Sequence, residues 1–369
     1  MVRSAQMRIA ALLPHVEVYG GVRRYLEIGN ELSRRGHDFV LFTPKGEKPG
    51  WLEFIGSVRP FSALDEDRFD IGLCSEYSIL PFFDRLAAGA KFFYFVLEGH
   101  KKEREVARRN FQFLGCSEGI CRRVERKYDV VCRRAVGGIN PGIFYPWPGP
   151  SLPTRASDRQ TASEEEASPA GESAKERSTG PSLGREFRIL CYGRIYKRRK
   201  GIHQVIKAVE RLGGEFPGVR LIFFDSLVGE HRRDPRPLIK TSIPHDFYLD
   251  LPQSRMAWLF SQADAFVSAE RRAGWANSAA EAMACRVPVV CTRSGTRDFA
   301  FHEKTALVVP FGHPFFLRRQ IRRLIRDDDL RRRLGRAAHD IIQGFTWAAL
   351  AERLEMIFAE ARSRRIPPN

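Results

Sequence analysis

The stretch FRILCYGRIYKRRKGIHQVIKAVERL, residues 187–212, decides the fold. An apolar run, Phe187 to Tyr192, has the length and composition of a strand buried on both faces. A glycine and a basic loop follow, and Lys200-Gly201 leads into a helical stretch from Ile202 to Leu212. This strand–turn–helix unit recurs. Downstream come a strand at Arg220 to Phe224, a helix from about Met256 to Gln262 and a strand at Ala265 to Val267. Then follow a helix at Ala279 to Cys285, strands at Val287 to Cys291 and Ala306 to Val309, and a helical tail. Upstream, a strand at Ile9 to Leu13 runs through the loop His15 to Gly21 into a helix from Val22 to about Arg35. That helix carries an apolar stripe of Tyr25, Ile28 and Leu32 and a stop at Gly36. Short apolar runs at Phe39 to Thr43, Ile71 to Cys74, Phe92 to Leu97 and Phe113 to Cys116 continue the alternation. Alternating strands and helices predict parallel α/β sheets. The expected fold is therefore two Rossmann-like domains facing a cleft, where the carboxyl ends of two sheets meet.

The length of 369 residues agrees with two domains. The boundary is expected within Gly149 to Gly184, a stretch of mostly Ser, Thr, Pro, Gly, Ala, Glu and Arg whose only large apolar residues are Leu152 and Leu183. Such a composition cannot bury enough surface to order itself. This divides the chain into an N-terminal Rossmann-like domain (1–148), a disordered linker (149–184) and a C-terminal Rossmann-like domain with its tail helix (185–369). Hydrophobic residues at 43% and charged residues at 28% exclude wholesale disorder and a fibrous repeat. No apolar run approaches the roughly 18 residues that span a bilayer, and Ile9 to Leu13 is too short for a secretory signal core. The expected location is cytoplasmic. The seven cysteines, odd in number and scattered, read as buried thiols; Cys116, Cys121 and Cys132 lack zinc-ligand spacing.

The net charge of +17 is unevenly spread. Residues 185–369 hold 34 Lys and Arg against 20 Asp and Glu, whereas residues 1–148 hold 23 against 18 and residues 149–184 hold 4 against 6. The field around the C-terminal half attracts an anion, such as a nucleotide diphosphate or an anionic membrane met peripherally. Nucleic acid is not expected, because no zinc finger, basic zipper or RNP-type aromatic motif is present.

Three places carry chemistry. Gly20-Gly21 ends the first strand-to-helix turn, where bare backbone N–H groups can approach a phosphate, although a tight turn alone would also use glycines. Arg194 supplies a planar fork and Lys200 a mobile charge close to a helix N-terminus, which suits a diphosphate better than a merely solvated loop. The third is the stretch from Glu270 through Asn277 and Glu281 to Val290. There Glu281 is expected in the first turn of a small-residue helix, where it accepts hydroxyls such as those of a ribose, or closes a capping box with Ser278.

Taken together these pieces resemble glycosyltransferase family 4, the retaining transferases of GT-B architecture. The resemblance rests on Gly20-Gly21, on Ile139-Asn140 to Phe144-Tyr145-Pro146, and on Gly193-Arg194 with Lys200-Gly201. It rests also on Glu281-Ala-Met-Ala-Cys with Val287-Pro288-Val289-Val290, and on Thr346-Trp347. It implies that Arg194 and Lys200 hold the donor diphosphate and stabilise the leaving group. Glu281 corresponds to the second glutamate of the family's E-x7-E motif, on the nucleotide ribose, and the amides of Gly295 and Thr296 face the phosphates. His100 would correspond to a first-domain histidine near the reacting sugar. The sequence departs from the pattern at Ala273, in place of the motif's first glutamate, and at Arg286, in place of the glycine after Ala-Cys. The sugar contact is then either missing or supplied by Glu270, with Asn277 as the neutral candidate. No Asp-x-Asp pair stands at a strand end, so neither a metal nor another cofactor is expected. The implied function is transfer of a sugar from a nucleotide diphosphate to an acceptor hydroxyl, the acceptor being a glycan, a lipid or a small molecule. The alternatives are a non-catalytic nucleotide-sugar binder and a sugar-nucleotide epimerase of the same architecture.

Overall fold

The computed structural model describes residues 5–149, 186–227 and 233–363. The linker expected at Gly149 to Gly184 lies, apart from Gly149, outside the described residues. The first sheet contains β1 (Arg8–Leu12), β2 (Asp38–Thr43), β3 (Ser57–Pro60), β4 (Phe69–Cys74), β5 (Ala88–Phe95), β6 (Gln112–Gly115) and β7 (Cys132–Arg134). Their order across the sheet is β3-β2-β1-β4-β5-β6-β7, all parallel. Its helices are α1 (Gly20–Arg34), α2 (Leu80–Arg85), α3 (Glu103–Ala107) and α4 (Glu118–Tyr128).

In the second sheet, β8 (Phe187–Tyr192), β9 (Val219–Asp225), β10 (His245–Leu249), β11 (Ala265–Ser268), β12 (Val289–Thr292) and β13 (Leu307–Val309) run in the order β10-β9-β8-β11-β12-β13, again parallel. Helices α5 (Ile202–Gly213), α6 (Met256–Ser261), α7 (Asn277–Ala284), α8 (Pro314–Arg326), α9 (Asp328–Ile342) and α10 (Trp347–Ser363) complete the chain. In each sheet the strand order reverses direction beside the first strand, between β1 and β4 and between β8 and β11. A parallel sheet opens a crevice at such a switch point, beyond the carboxyl ends of its strands. The two-domain α/β expectation is met. Strands β3, β7 and β10, which the apolar runs do not announce, are all sheet edges.

Two boundaries differ from expectation. Helix α1 begins at Gly20, with Tyr19 as an extended N-cap, so the glycine pair forms its first turn and is not a loop ahead of it. The tail helix α10 packs on α1 and β5 of the first sheet, although the sequence reading left it with the second domain. Phe358 meets Phe92 with ring centroids 5.1 Å apart, and Glu355 accepts hydrogen bonds from Arg35 Nε at 2.7 Å and pairs with His37 at 2.7 Å. The crossing is fixed where Ile139 N–H donates to the Phe345 carbonyl at 2.8 Å and Trp347 N–H to the Ile139 carbonyl at 3.3 Å. A methyl at Gly138 would lie 2.1 Å from the Trp347 ring, so the indole packs directly on that glycine.

All seven cysteines are free and buried, as read from their scatter. Burial pushes the Cys74, Cys116 and Cys291 thiols up to about 12, which keeps them protonated and unreactive. No helix among the described residues is long and apolar enough to cross a membrane.

Arg286 follows the C-cap of α7 with φ 60°, in the left-handed region. That is the position where helices favour glycine, and a non-glycine residue there costs about 1 kcal/mol. The side chain is exposed and the cost has no packing in return. Arg286→Gly is expected to raise the melting temperature by roughly 1–3 °C, part of the gain being offset by unfolded-chain entropy. An unchanged or lower melting temperature in calorimetry would show that the strain is absorbed elsewhere.

Candidate functional site

The two switch points face each other across a cleft of about 750 Å³, within the range of small-molecule sites. The first domain contributes the segment after β1 (Leu13 to Gly21), Arg23 and Arg24 of α1, Trp51, Glu76 after β4, and Val96 and Leu97 after β5. The second contributes Arg194, Lys200, Asp225, Glu270, Ala273, Asn277 and Glu281.

Arg194 leaves the carboxyl end of β8, but it is only 8% exposed, contrary to the exposed clamp a strand-end arginine suggests. Its Nη2 donates to Asp225 Oδ1 at 2.7 Å and to the Ser226 carbonyl at 2.9 Å, and Nε donates to the same carboxylate at 3.0 Å. Asp225 closes the neighbouring strand β9, so the parallel register of β8 and β9 places the pair. Lys200 Nζ donates to Glu270 Oε1 at 2.6 Å. The pairing of Glu270 is therefore with Lys200 and not with the adjacent Arg271 or Arg272. Both cations also lie over the ring of Tyr192, at 5.3 Å for Arg194 and 5.1 Å for Lys200. Burial pushes the Tyr192 hydroxyl well above its ordinary range, so it is a neutral platform.

Glu281 is the fifth residue of α7, in its second turn, and the helix has no side-chain N-cap. The capping-box alternative with Ser278 is thus not realised. The carboxyl faces the cleft and accepts from Arg23 Nη1 of the first domain at 3.3 Å. Burial raises its pKa from the ordinary carboxylate range, against the pull of Arg23 and Lys200. Asn277 opens α7 opposite Gly20: a methyl on Gly20 would lie 2.5 Å from Asn277 Nδ2. A methyl on Gly21 would meet nothing within 4 Å, so packing does not require that glycine.

Ala273 is buried, with its N–H donating to Ser294 Oγ at 2.8 Å. Gly295 and Thr296 lie behind it and do not line the cleft. Gly295 has φ 69° and accepts from the Ala276 N–H at 2.9 Å, and the buried Thr296 hydroxyl donates to the Thr292 carbonyl at 2.7 Å. His100 is also outside the cleft lining: it is exposed and stacks on Tyr77 with centroids 3.9 Å apart. The reason is that buried Glu103 accepts from the N–H groups of Gly99 at 2.7 Å and His100 at 3.3 Å, which turns that loop back on the first domain.

Three site residues were not found from the sequence. Asp225 and Arg23 acquire their roles from partners far along the chain. Glu76 lines the cleft, its carboxyl without a hydrogen-bond or ion-pair partner among the described residues, and burial raises its pKa. Its one sequence signal is a carboxylate just past the apolar run Ile71 to Cys74, at a strand's carboxyl end.

Among the described residues no group of three or more His, Cys, Asp and Glu is placed to hold a metal ion. The arrangement instead presents cations, each held by a carboxylate, beside a buried carboxyl and two glycines at a helix N-terminus. It can receive an anion flanked by hydroxyls.

Residues 173–340 match the family described as glycosyl transferases group 1. A D-inositol 3-phosphate glycosyltransferase of Pseudarthrobacter chlorophenolicus is 32% identical over 171 residues, which is 45% of this chain and 40% of that protein. The chain spans less than half the length of the curated relatives it matches. Among solved structures, sucrose-phosphate synthase from Thermosynechococcus elongatus superposes with a TM-score of 0.71 at 18% identity, covering 97% of this chain and 100% of that one. Anabaena Alr3699/HepE, solved in complex with UDP-glucose, superposes with a TM-score of 0.66 at 15% identity, covering 96% and 100%. The chain therefore has the GT-B architecture of two-domain glycosyltransferases, and the glycosyl transferases group 1 match lies in its C-terminal half.

Proposed function

We propose that the chain is a retaining glycosyltransferase of family 4 that moves a sugar from a nucleotide diphosphate donor to an acceptor hydroxyl without a metal. The observation that carries this reading is the meeting of Arg194, Lys200 and Glu281 in one cleft, opposite the glycine start of α1. The diphosphate would take the place of Asp225 and Glu270 as the partner of the two cations, and Glu281 would accept the ribose hydroxyls. Charge developing on the leaving diphosphate is then met by preorganised donors, and no protein nucleophile is needed. Glu76, on the first domain, is suited to accept a hydrogen bond from the acceptor. UDP is the nucleotide to try first, because HepE binds UDP-glucose on the same fold. The positive C-terminal half suits work in the cytoplasm beside an anionic membrane.

The test is incubation with UDP- and GDP-sugars in the absence of acceptor. Slow release of nucleotide supports the transferase. Tight binding without release would make the chain a non-catalytic binder, and an altered sugar would make it an epimerase. Glu270 bears on the same question because Ala273 offers the sugar no acceptor. Glu270→Gln is expected to lower kcat/KM for the intact donor roughly tenfold, by loss of a charged hydrogen bond. Affinity for free nucleoside diphosphate should stay level or rise, since Lys200 is released from its carboxylate. A silent Glu270→Gln combined with a faster Ala273→Glu would remove Glu270 from sugar binding.

A further inference from the structure

Three loops leave the carboxyl ends of β8, β11 and β13 and meet on one rim of the second domain, beside Lys200. Arg271 N–H donates to the Arg199 carbonyl at 2.7 Å. Gly201 and Gly312 both press on Ala269: a methyl on either would lie 2.3 Å and 2.9 Å, respectively, from its carbonyl oxygen. On this rim Lys197, Arg198, Arg199, Arg271 and Arg272 are all exposed, and none forms an ion pair among the described residues. On α8 of the same domain, by comparison, Arg322 and Arg326 pair with Glu215 and Arg323 with Glu303. The rim therefore gathers five unpaired cations on three adjoining loops; Lys197 and Arg199 also line the cleft, whereas Arg198, Arg271 and Arg272 do not. Phe311 and Phe315 stand next to it, 68% and 57% exposed, with their rings grouped around Phe316 at centroid distances of 6.2 Å and 5.4 Å.

We propose that this rim docks the protein on an anionic lipid bilayer, the cations meeting the headgroups and Phe311 and Phe315 entering the interface. A soluble polyanion would be attracted by the cations alone. Protruding phenylalanines gain only by leaving water, as aromatic side chains do at the boundary between headgroups and acyl chains. Each cation near an anionic surface contributes about a fivefold gain in binding. The proposal rests on the reading of the chain as one that works beside a membrane, but not on the reaction it performs. The cleft edge formed by Lys200 and Glu270 would face the bilayer, which brings an acceptor held there within reach.

The experiment is cosedimentation of the full chain with vesicles of phosphatidylcholine, with and without phosphatidylglycerol. Binding is expected only with phosphatidylglycerol, weakening as salt rises. The triple variant Arg198→Gln, Arg271→Gln, Arg272→Asn should bind about a hundredfold more weakly, at about fivefold per cation; asparagine suits the left-handed backbone at position 272, where φ is 62°. The pair Phe311→Ser, Phe315→Ser should bind roughly tenfold more weakly by loss of buried apolar surface. These positions are exposed, and unchanged melting temperatures confirm that the variants are folded. Absence of binding by the parent chain overturns the proposal, as does binding that ignores both phenylalanines, which would leave only charge attraction and no insertion into the interface. Nucleotide release from the donor, assayed without vesicles, is the independent readout of the transferase reading: either result can fail while the other stands.

Discussion

Arg194→Ala is expected to lower kcat/KM for the donor by two to three orders of magnitude, about 3–4 kcal/mol, and to lower the melting temperature as well. The first effect follows from removal of a fixed cation at the place where charge develops on the leaving group. The second follows from Asp225, whose side chain is 1% exposed and loses its guanidinium partner. Breaking a buried pair from one side costs about 3–5 kcal/mol, because the remaining charge stays buried and unpaired. The two effects can be separated. Adding Asp225→Asn should restore most of the stability and none of the turnover. If the double variant recovers turnover together with its melting temperature, Arg194 is a structural residue and the diphosphate is bound elsewhere.

Glu103→Ala should destabilise the first domain by a similar amount, about 3–5 kcal/mol. Its side chain is 1% exposed and accepts from both Arg123 terminal nitrogens at 2.8 Å, from the Tyr128 hydroxyl at 2.8 Å, and from the N–H groups of Gly99 and His100. Burial alone would raise its pKa, but the hydrogen bonds from Arg123 and Tyr128 hold it below the ordinary carboxylate range. A depressed folded-state pKa contributes stability that is fully present above the unfolded value, near 4.3. That contribution is lost as the pH falls through the lower, folded value. Melting temperatures measured from neutral pH downward should therefore fall in the parent chain below about pH 4. The Glu103→Ala variant, already destabilised, should lack this part of the slope. Equal slopes in the two proteins would mean that other carboxylates control acid unfolding. The same loss frees the loop at Gly99 and His100, so limited proteolysis should find it more readily.

The residue sequence by itself determined the two-domain parallel α/β architecture, because the central strands are buried on both faces and must read as continuous apolar runs. Phe187 to Tyr192 and Ile71 to Cys74 are such runs. It did not mark β3, β7 and β10, since an edge strand is covered less, tolerates Arg59, Pro60 or Asp246, and carries a weaker apolar signal. Strand-end chemistry was legible in the same local way: Arg194, Lys200, Glu270, Asn277 and Glu281 all line the cleft, because residues that follow a parallel strand emerge at its carboxyl end.

What each of them faces was decided only by the tertiary structure. Asp225 reaches Arg194 through the pairing of β8 with β9, and Arg23 reaches Glu281 across 258 residues of chain. Glu103 turns His100 away from the site, and Ala273 places Gly295 and Thr296 behind the cleft wall. The tail helix α10 crosses to the first sheet, where Phe358 meets the Phe92 ring and Glu355 pairs with Arg35 and His37. Periodicity reports which face of an element is apolar, but the partner of that face, and the partner of every charge, depends on contacts between distant segments that no local window contains.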